Sequence, residues 1–545
     1  MKKYICLLSI ALFSLVLHAQ DKYFNISKSA DIYNAVRREL EINYVDSIDH
    51  ETLTNKTVNY MLHELDPYTV YIPKENEEAL RQLTSGEYGG IGAVITHKKG
   101  HVVIAEIVEG SPAQKNGLRA GDIILDIDGE KTAGKTNTYA AEKLRGIPGT
   151  EVRIKLQRTD EKRVIEKRFL REVIQNNAVE YYTAMADSIG YIYLSDFTER
   201  AFQEFKQAIV DLSANHHIRK LIIDLRDNPG GSLAEAVNIA GLFLPLNSPV
   251  VETKGKNSAT SRVYRTKIEP VYPALPLVIL VNGQSASAAE ILAGTFQDLD
   301  RAVVLGERTF GKGLVQNIRP MPYNGYLKIT TAKYYIPSGR CVQAIDYANR
   351  REDGTAAAIP DSLTSEFYTA NGRIVRDGGG ILPDIILNDS NDVDISYYLY
   401  VNDIFFYYAT QYVLQHQTVA SPETFSLSEK EYADFVAYVN SSGFTYRLES
   451  EKYLQELRSI IRVEGYAPQT DSLISLLTAQ LQPNIENDLL RFRSEITTLL
   501  EGEIVRRYYY NRGFIAYRLR EDVVVARAKA ILHDAETYGR ILGKK

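Results

Sequence analysis

Three short segments made almost wholly of apolar residues constrain the fold of this 545-residue chain more than any other feature. The first two run into a loop and then into a helical pattern, over 232–244 and from about residue 287. Strands that are apolar on both faces are typical of a parallel sheet covered by helices on its two sides. We therefore predict an α/β layer built from segments 221–225, 277–281 and 302–305.

The texture of the sequence changes on either side of this layer. Residues 85–172 contain frequent glycines and short β-rich runs, which predict a small β module. Apolar residues recur at helical spacing before that module and again near the end of the chain. The predicted organisation is a leader over 1–19, a helical region over 20–84, the β module over 85–172, an α/β core over 173–390 and a helical region over 391–545.

The first residues have the order of a secretory signal. Lys2 and Lys3 precede an apolar run over 5–17, and Ala19 offers a cleavage site. A buried N-terminal helix is the alternative. After cleavage no run reaches the roughly 18 apolar residues of a membrane span, so we expect an exported protein without an integral membrane segment. The periplasm is the expected location, with association with the cell envelope and secretion as alternatives.

Charge and cysteine content exclude several classes of protein. The formal net charge is −6 at pH 7, which gives no bulk electrostatic footprint for nucleic acid. The 2 cysteines are Cys6, inside the leader, and Cys341, so the chain has neither a disulfide framework nor a multi-cysteine metal site. We expect no nucleic-acid partner, no metal and no cofactor.

Two loops of the α/β core share one design. Each follows a buried strand, opens a helix and fits the S-x-x-E spacing of a capping box, at Ser232 and Glu235 and again at Ser287 and Glu290. A helix N-terminus carries unpaired N–H groups and the positive end of the helix dipole. Two such ends that face one crevice would stabilise a negatively charged oxygen. Two well-capped helices with no further role are the alternative.

A serine on a strand-to-helix turn has the exposure of a nucleophile, and it needs a base. The 9 histidines are scattered, and none is attached to a glycine-rich loop beside the sheet. A lysine acts as a base only where its surroundings lower its pKa towards neutrality. Lys312 lies between two glycines and apolar residues after the third strand, which predicts such a dry setting, and Gln316 is placed to orient its amine.

The stretch around Lys312 has a second interpretation. Residues 306–313 nearly match the phosphate-binding pattern G-x-x-x-x-G-K-[ST]. Gly313 supplies no hydroxyl for magnesium, however, and residues 314–318 have the composition of a strand where the pattern requires a helix. The sequence context therefore disfavours nucleotide binding.

Taken together, these motifs resemble the carboxyl-terminal processing proteases, also called tail-specific proteases. The resemblance rests on L-D-P-Y-T over 65–69, S-A-S-A-A-E over 285–290 and F-G-K-G over 310–313. It implies an α/β plus β multidomain fold. In that fold a PDZ-like module lies between the N-terminal helical region and a ClpP/crotonase-like serine protease core, and the C-terminal helical region follows.

The resemblance also implies roles for individual residues. Ser287 would be the nucleophile, Lys312 the base and Gln316 its orienting group. The oxyanion donors would be the N–H of Ala288 and one N–H of the glycine loop, where we favour Gly231 and keep Gly230 open. Ser285 would be structural, or would be the nucleophile if the alignment slips by two residues.

The β module resembles a PDZ domain through G-S-P-A, N-G-L, A-G-D-I-I and I-D-G within 110–129. Turn chemistry in a small β barrel explains the same residues without a ligand. In the functional interpretation, Gly89, Gly90, Ile91 and Gly92 form a nest for a peptide carboxylate, and a strand over 91–95 accepts the chain end by β-augmentation. The expected partners are proteins or peptides with apolar C-terminal tails.

Two other functions stay open at this point: a catalytically silent PDZ scaffold that binds peptides, and a hydrolase or lyase of the enoyl-CoA hydratase type. The last region is rich in aromatic residues, as in Tyr397-Tyr398, Phe405-Phe406-Tyr407-Tyr408 and Tyr508-Tyr509-Tyr510, and Tyr432 and Phe435 share one apolar helical stripe. An apolar helical stripe is more often core than surface. If these aromatic residues are exposed, the expected use is self-association of the chain through the C-terminal helices or docking of a partner.

Overall fold

The computed structural model describes residues 2–77, 82, 85–158, 163–256, 261–351, 354–387 and 394–544, and at 2–22 and 468 it describes the backbone alone. The chain divides into two compact units. The first is Met1–Pro73 with Ile318–Ile329, and the second is Lys74–Asn317 with Thr330–Lys545. The boundary predicted at residue 391 lies outside the described residues.

The first unit is mainly helical, as its apolar spacing predicts. The break predicted at 65–69 is a turn in which the Asp66 carboxylate accepts hydrogen bonds from the N–H groups of Tyr68 and Thr69, both at 2.8 Å. The predicted cleavage point after Ala19 falls where only the helical backbone is described. The elements of this unit are α1 (Lys2–Asn43), α2 (His50–His63) and β1 (Val70–Ile72), which pairs with Tyr326 to Lys328. Across the described ranges, no helix combines the length and apolar character that crossing a membrane requires.

The β module is an antiparallel sheet in the strand order β3-β4-β5-β7-β8, with β6 paired to β5 and a separate ribbon of β2 with β9. Its centre is fully buried, for example at Ile104, Ile127 and Ile154. The elements are β2 (Glu87–Gly90), β3 (Ala93–Lys98), β4 (His101–Ile107), α3 (Pro112–Lys115), β5 (Ile123–Ile127), β6 (Glu130–Lys131), α4 (Asn137–Leu144), β7 (Glu151–Gln157), β8 (Val164–Leu170) and β9 (Glu172–Gln175).

The α/β core is built on a six-stranded sheet in the order β10-β11-β12-β15-β16-β23, parallel except for the edge strand β10. The three apolar segments lie side by side in this sheet, as predicted. The helix predicted over 232–244 is shorter than expected and ends at Ala240, with Gly241 as its C-cap. The elements are β10 (Val179–Met185), β11 (Ile189–Leu194), α5 (Ala201–His216), β12 (Lys220–Asp224), α6 (Leu233–Ala240), β13 (Pro249–Gly255), β14 (Arg262–Arg265), β15 (Leu277–Val281), α7 (Ala288–Asp298), β16 (Val303–Gly306), β17 (Leu314–Pro320), β18 (Tyr326–Tyr335), β19 (Ile345–Asp346), β20 (Ala357–Ala358), β21 (Glu366–Tyr368), β22 (Ile374–Arg376) and β23 (Ile385–Ile386).

The two faces of this sheet are covered by different parts of the chain. On one face, helices α5 and α7 contribute Phe205 and Phe296, and the turn after helix α6 contributes Phe243. On the other face, Val524 and Ile531 of the C-terminal region join the strand residues in one buried cluster. The end of the chain is therefore part of the core, a long-range contact that the sequence does not predict.

The C-terminal region is helical and has its own aromatic core. Phe405, Tyr408 and Phe435 are buried together, so for these residues the prediction that the stripe is core is confirmed. Tyr397 is exposed, and self-association stays a prediction. The helices are α8 (Ile395–Val401), α9 (Ile404–Gln415), α10 (Glu429–Ser441), α11 (Glu449–Val463), α12 (Ala467–Gln480), α13 (Ile485–Arg491), α14 (Arg493–Arg518), α15 (Val523–His533) and α16 (Ala535–Ile541).

Candidate active site

Ser287 stands at the turn between strand β15 and helix α7, where the sequence predicts a nucleophile. Its backbone has φ 56° and ψ −113°, a combination that residues other than glycine rarely adopt. Such strain concentrates at functional sites, and a serine nucleophile on a strand-to-helix turn is one setting for it. The side chain is half-buried, at the carboxyl end of the parallel sheet.

The hydroxyl of Ser285, by contrast, is engaged by the backbone of two neighbouring strand ends. Its side chain is fully buried, and its hydroxyl donates to the carbonyl of Leu225 at 2.7 Å. The same hydroxyl accepts a hydrogen bond from the N–H of Asn282 at 2.9 Å. These contacts commit the Ser285 hydroxyl to holding two strand ends together, which favours Ser287 as the nucleophile.

Glu290 joins the loop of Ser287 to the loop of Lys312. Its carboxylate is completely buried and accepts hydrogen bonds from the N–H groups of Ser287 (2.9 Å), Gly311 (2.8 Å) and Lys312 (2.8 Å) and from the hydroxyl of Thr309 (2.6 Å). The backbone nitrogens of Ser287 and Lys312 therefore share one oxygen atom, Oε2. Burial raises the pKa of Glu290 to about 7, against the effect of these four donors.

Lys312 is half-buried in the loop between β16 and β17. A second tie between the two loops is the hydrogen bond from the N–H of Phe310 to the carbonyl of Ser285, at 3.0 Å. Gln316 follows on β17, where its side-chain amide donates to the hydroxyl of Thr330 at 3.1 Å. The loop of Ser287 and the loop of Lys312 thus form one hydrogen-bonded unit.

The glycine loop approaches Ser287 from the neighbouring strand β12. A Cβ atom built on Gly230 would lie 2.6 Å from the Cβ of Ser287 and 2.9 Å from the nitrogen of Ala288, so only glycine fits there. The N–H of Gly230 already donates to the side-chain oxygen of Asn228, at 2.8 Å. Of the two N–H groups that the sequence leaves open as an oxyanion donor, this hydrogen bond favours Gly231.

The capping box predicted at the start of helix α6 does not form. Ser232 makes no side-chain cap, and the Glu235 carboxylate accepts a hydrogen bond from the N–H of Phe202, at 2.8 Å, on a different helix. The S-x-x-E spacing is local, whereas this carboxylate finds its donor 33 residues away in the chain. The corresponding contact at α7, from the N–H of Ser287 to Glu290, is present.

In the β module, the turn predicted to bind a carboxylate consists of two residues and not four. Gly89 and Gly90 belong to strand β2 and pair with β9, so only Ile91 and Gly92 form the turn into β3. The predicted strand over 91–95 accordingly begins at Ala93. Strand β3 is an end strand of its sheet, which is the arrangement that β-augmentation requires.

A cavity of about 1560 Å³ opens within the second unit, between the β module, the α/β core and the C-terminal helices. Val94, on the end strand β3, lines one part of it, and Asp227, which precedes the glycine loop, lines another. Tyr510 contributes from helix α14, at a point where the helix backbone is kinked. The cavity therefore extends from the β module to the neighbourhood of the glycine loop.

The sequence does not predict the contacts that three residues make at this site. Glu290 was expected only to cap a helix. Asn228 is buried and holds the glycine loop, and its place in N-P-G-G is the signal that could have identified it. Tyr334 lies on β18 and contacts the carbonyls of Ser287 and Lys312, but nothing in the sequence separates it from the other 36 tyrosines.

Comparison with known proteins gives three family matches along the chain. Residues 103–158 match a PDZ domain, residues 188–349 match Peptidase family S41, and residues 395–532 match the C-terminal helical domain of a probable PDZ-protease. These matches give the order PDZ domain, peptidase domain, helical domain.

Relatives that match more than half of the chain are also found. The chain is 35% identical over 329 residues to a carboxy-terminal-processing protease of Bartonella bacilliformis, which covers 60% of this chain and 74% of that relative. It is 33% identical over 302 residues to the carboxy-terminal processing protease CtpB of Bacillus subtilis, covering 55% of this chain and 62% of that protein. The solved structure of the photosystem II D1 C-terminal processing protease is 26% identical, with a TM-score of 0.37 over 65% of this chain and 86% of that chain. By its identity to the Bartonella relative and by its family matches, the chain belongs to the carboxy-terminal-processing proteases of peptidase family S41.

Proposed function

We propose that the protein is an exported serine endopeptidase that binds the C-terminal tail of its substrates at the PDZ domain and cleaves them with Ser287 and Lys312. One observation carries the proposal. The backbone nitrogens of these two residues share a single oxygen of Glu290, which places a hydroxyl and an amine of suitable chemistry in adjoining loops. Ser287 has the strained backbone of a nucleophile turn.

In the proposed reaction, the uncharged amine of Lys312 takes the hydroxyl proton of Ser287 while the serine oxygen attacks the scissile carbonyl. The tetrahedral intermediate collapses when the bond from carbonyl carbon to amide nitrogen breaks. Protonated Lys312 gives its proton to the leaving amine. Water then hydrolyses the acyl-serine ester with Lys312 as base, which restores the serine hydroxyl and releases a carboxylic acid.

The negative oxygen of the intermediate is assigned to the N–H groups of Ala288 and Gly231. Ala288 begins helix α7, where N–H groups are unpaired within the helix and the dipole is positive. The N–H of Ala286 donates to the carbonyl of Asn228 at 2.9 Å, which holds the glycine loop beside the Ser287 turn. The N–H of Gly230 is engaged by the side chain of Asn228, which leaves Gly231 as the donor of the pair. Each oxyanion donor contributes about 3–4 kcal/mol to transition-state stabilisation in enzymes of this kind.

Gln316 is assigned the role of orienting the Lys312 amine. Its amide nitrogen is occupied by Thr330, so the amide oxygen is the atom suited to accept a hydrogen bond from that amine. The proposal also includes a ClpP/crotonase-like core, a leader over 1–19 and a periplasmic location. The parallel sheet and the N-terminal charge pattern support them.

Substrate capture is assigned to strand β3 and the turn formed by Ile91 and Gly92. An extended tail would add to the open edge of β3, and its carboxylate would meet the backbone of the turn. The cavity between the β module and the core gives such a chain a route from Val94 towards the glycine loop. Partners are therefore proteins or peptides with apolar C-terminal tails.

A cleavage assay tests the function directly. Purified protein is incubated with an unfolded polypeptide that ends in apolar residues, and the products are identified by mass spectrometry, with a Ser287→Ala sample as the control. We expect internal cleavage, and a kcat/KM at least about tenfold lower when the tail ends in two aspartates, because the apolar pocket then loses its ligand. Binding without cleavage would identify a scaffold instead.

A pair of glycine variants tests the PDZ site. Gly92 has φ +73°, and a Cβ there would lie 2.2 Å from the Cβ of Ser111, whereas Gly100 has φ +79° with no described atom within 4 Å. Both Gly→Ala changes carry the left-handed backbone penalty of about 1 kcal/mol, but only G92A adds a collision at the proposed carboxylate site. In a Ser287→Ala background, fluorescence anisotropy with an apolar-tailed peptide should give an at least about tenfold weaker Kd for G92A and an unchanged Kd for G100A. Equal affinities would exclude this turn from binding.

A further inference from the structure

The peptide groups of Ser287 and Lys312 are held from two sides by two other side chains. On one side, the Glu290 carboxylate accepts from both N–H groups. On the other, the hydroxyl of Tyr334 lies 2.5 Å from the carbonyl oxygen of Lys312 and 3.2 Å from that of Ser287. One carboxylate thus receives the N–H groups of both residues, and one hydroxyl reaches their carbonyls.

We propose that Tyr334 is a positioning residue that, opposite Glu290, fixes the main chain of the nucleophile against the main chain of the base. The inference rests on the proposed function, because it assigns Tyr334 a part in the same reaction. Tyr334 does not touch the reacting atoms in that mechanism. It acts on the rate through the separation and orientation of two residues that do.

The surroundings of Tyr334 suit it to this role. The side chain is 1% exposed and packs in the core cluster of the α/β sheet. Its own N–H donates to the carbonyl of Gly313, at 3.0 Å, which ties strand β18 to the residue after Lys312. A tyrosine hydroxyl has one proton. The shorter distance indicates that this proton is donated to the carbonyl of Lys312, and the carbonyl of Ser287 is the second acceptor within reach.

The strained backbone of Ser287 needs contacts that hold it in place. A residue at φ 56° and ψ −113° relaxes unless its neighbours hold it, and relaxation would swing the side-chain oxygen away from its line of attack. Here the N–H is held by Glu290. The carbonyl accepts from the N–H of Ile291 at 2.9 Å, and the Tyr334 hydroxyl lies 3.2 Å from it and links it to the carbonyl of Lys312. Misplacement of a reacting group by 1 Å lowers a rate by about 10²-fold, so even a small relaxation would be measurable.

Tyr334→Phe removes the hydroxyl and keeps the ring, and Tyr432→Phe is its matched control. Tyr432 is also buried, and its hydroxyl donates to the carbonyl of Leu489 at 2.6 Å in the C-terminal helical region. Each variant loses one buried hydrogen bond to a carbonyl, so similar decreases in the unfolding midpoint are expected. We expect Y334F to lower kcat by about 10- to 100-fold with KM and peptide Kd unchanged, and Y432F to keep the kcat of the natural protein.

The assays are run well below the unfolding midpoints, with the natural protein and Ser287→Ala in the same series. Cleavage that persists in Ser287→Ala overturns the proposed function, and the positioning role with it. Cleavage that is lost in Ser287→Ala but retained within about twofold in Y334F overturns the positioning role alone. A loss of kcat that is equal in Y334F and Y432F does the same, because it would reflect stability and not position.

If Y334F does not fold, a variant of Glu290, the other side chain that holds the two loops, tests the proposal. Glu290→Gln keeps the shape but replaces one oxygen acceptor by an N–H₂ donor that faces N–H groups. Its control is Glu431→Gln, which changes the capping box of helix α10, remote from Ser287. We expect E290Q to lower kcat at least about tenfold with KM unchanged, while E431Q remains active; a fully active E290Q overturns the proposal.

Discussion

Lys312→Met should lower kcat by at least about 10³-fold without weakening the binding of an apolar-tailed peptide. Methionine is unbranched and similar in length to lysine, but it has no amine to take the proton of Ser287. The loop should keep its position in this variant, because its anchors are the N–H and carbonyl of residue 312, held by Glu290 and Tyr334. The loss of rate would therefore report the missing amine and not a displaced loop.

Lys312→Arg separates the two roles that a lysine can have in such a site. If Lys312 is the base, arginine fails, because its guanidinium stays protonated at any pH at which the protein is folded. If Lys312 serves only as a positive charge that stabilises the oxyanion, arginine restores much of the rate. We expect K312R to be as inactive as K312M, and substantial turnover by K312R would contradict the assignment of the base.

Lys333→Met is the matched control for these variants. Lys333 is an exposed lysine on strand β18, next to Tyr334 in sequence but outside the proposed catalytic groups. The K333M substitution removes the same charge and adds the same thioether as K312M, but at a residue outside the proposed site. The kcat of K333M should therefore equal that of the natural protein within about twofold. Steady-state cleavage of one unfolded substrate and peptide anisotropy provide both readouts for all three variants.

Features with short-range causes were predictable from the sequence. The strand over 277–281 is apolar at every position, which only a strand buried on both faces tolerates, and it forms with those bounds. The turn at Ser287 follows from a strand, a glycine-containing loop and a helix start within ten residues. For the same reason the β-rich character of residues 85–172 was predictable, and strands β3, β4, β5 and β7 form there.

Features that depend on packing between distant segments were not predictable. The spacing of Ser232 and Glu235 indicates a capping box, yet Glu235 binds the N–H of Phe202, because tertiary packing brings a closer donor. The carboxylate of Glu290 reaches Gly311 and Lys312 across a gap of more than 20 residues. Such contacts leave no periodic signal in the chain, since they are fixed only when strands and helices assemble.

The choice between Ser285 and Ser287 illustrates the same limit. Both serines fit the motif, and only burial and hydrogen bonding separate a committed structural hydroxyl from one at a strained turn. The choice between Gly230 and Gly231 depends in the same way on the side chain of Asn228. Local composition identifies the loops, whereas the three-dimensional contacts distinguish the atoms within them.

Gly230→Ala should lower kcat by about 10²- to 10³-fold, the loss that follows when one oxyanion donor is removed. The added Cβ would lie 2.6 Å from the Cβ of Ser287, 2.7 Å from the carbonyl oxygen of Ala286 and 2.9 Å from the nitrogen of Ala288. Two of these three contacts are backbone atoms that cannot rotate away. The glycine loop must therefore shift by several tenths of an ångström, and the N–H of Gly231 moves with it.

The conformational penalty has to be separated from this displacement. Gly230 has φ +104°, which alanine rarely adopts, so part of any effect comes from backbone strain. Gly372→Ala is the matched control, because Gly372 has φ +83° and no described atom lies within 4 Å of its added Cβ. We expect both variants to have a lower unfolding midpoint, but only G230A to lose turnover, with its KM for the tailed substrate little changed.

The two outcomes of this comparison have different meanings for the mechanism. If G230A loses kcat and keeps peptide affinity, the glycine loop acts on the transition state and not on substrate capture, as an oxyanion donor must. If G230A retains kcat within about twofold, the N–H groups of that loop are not aimed at the reacting carbonyl. The oxyanion would then depend on helix α7 alone, and the donor assigned to Gly231 would have to be withdrawn.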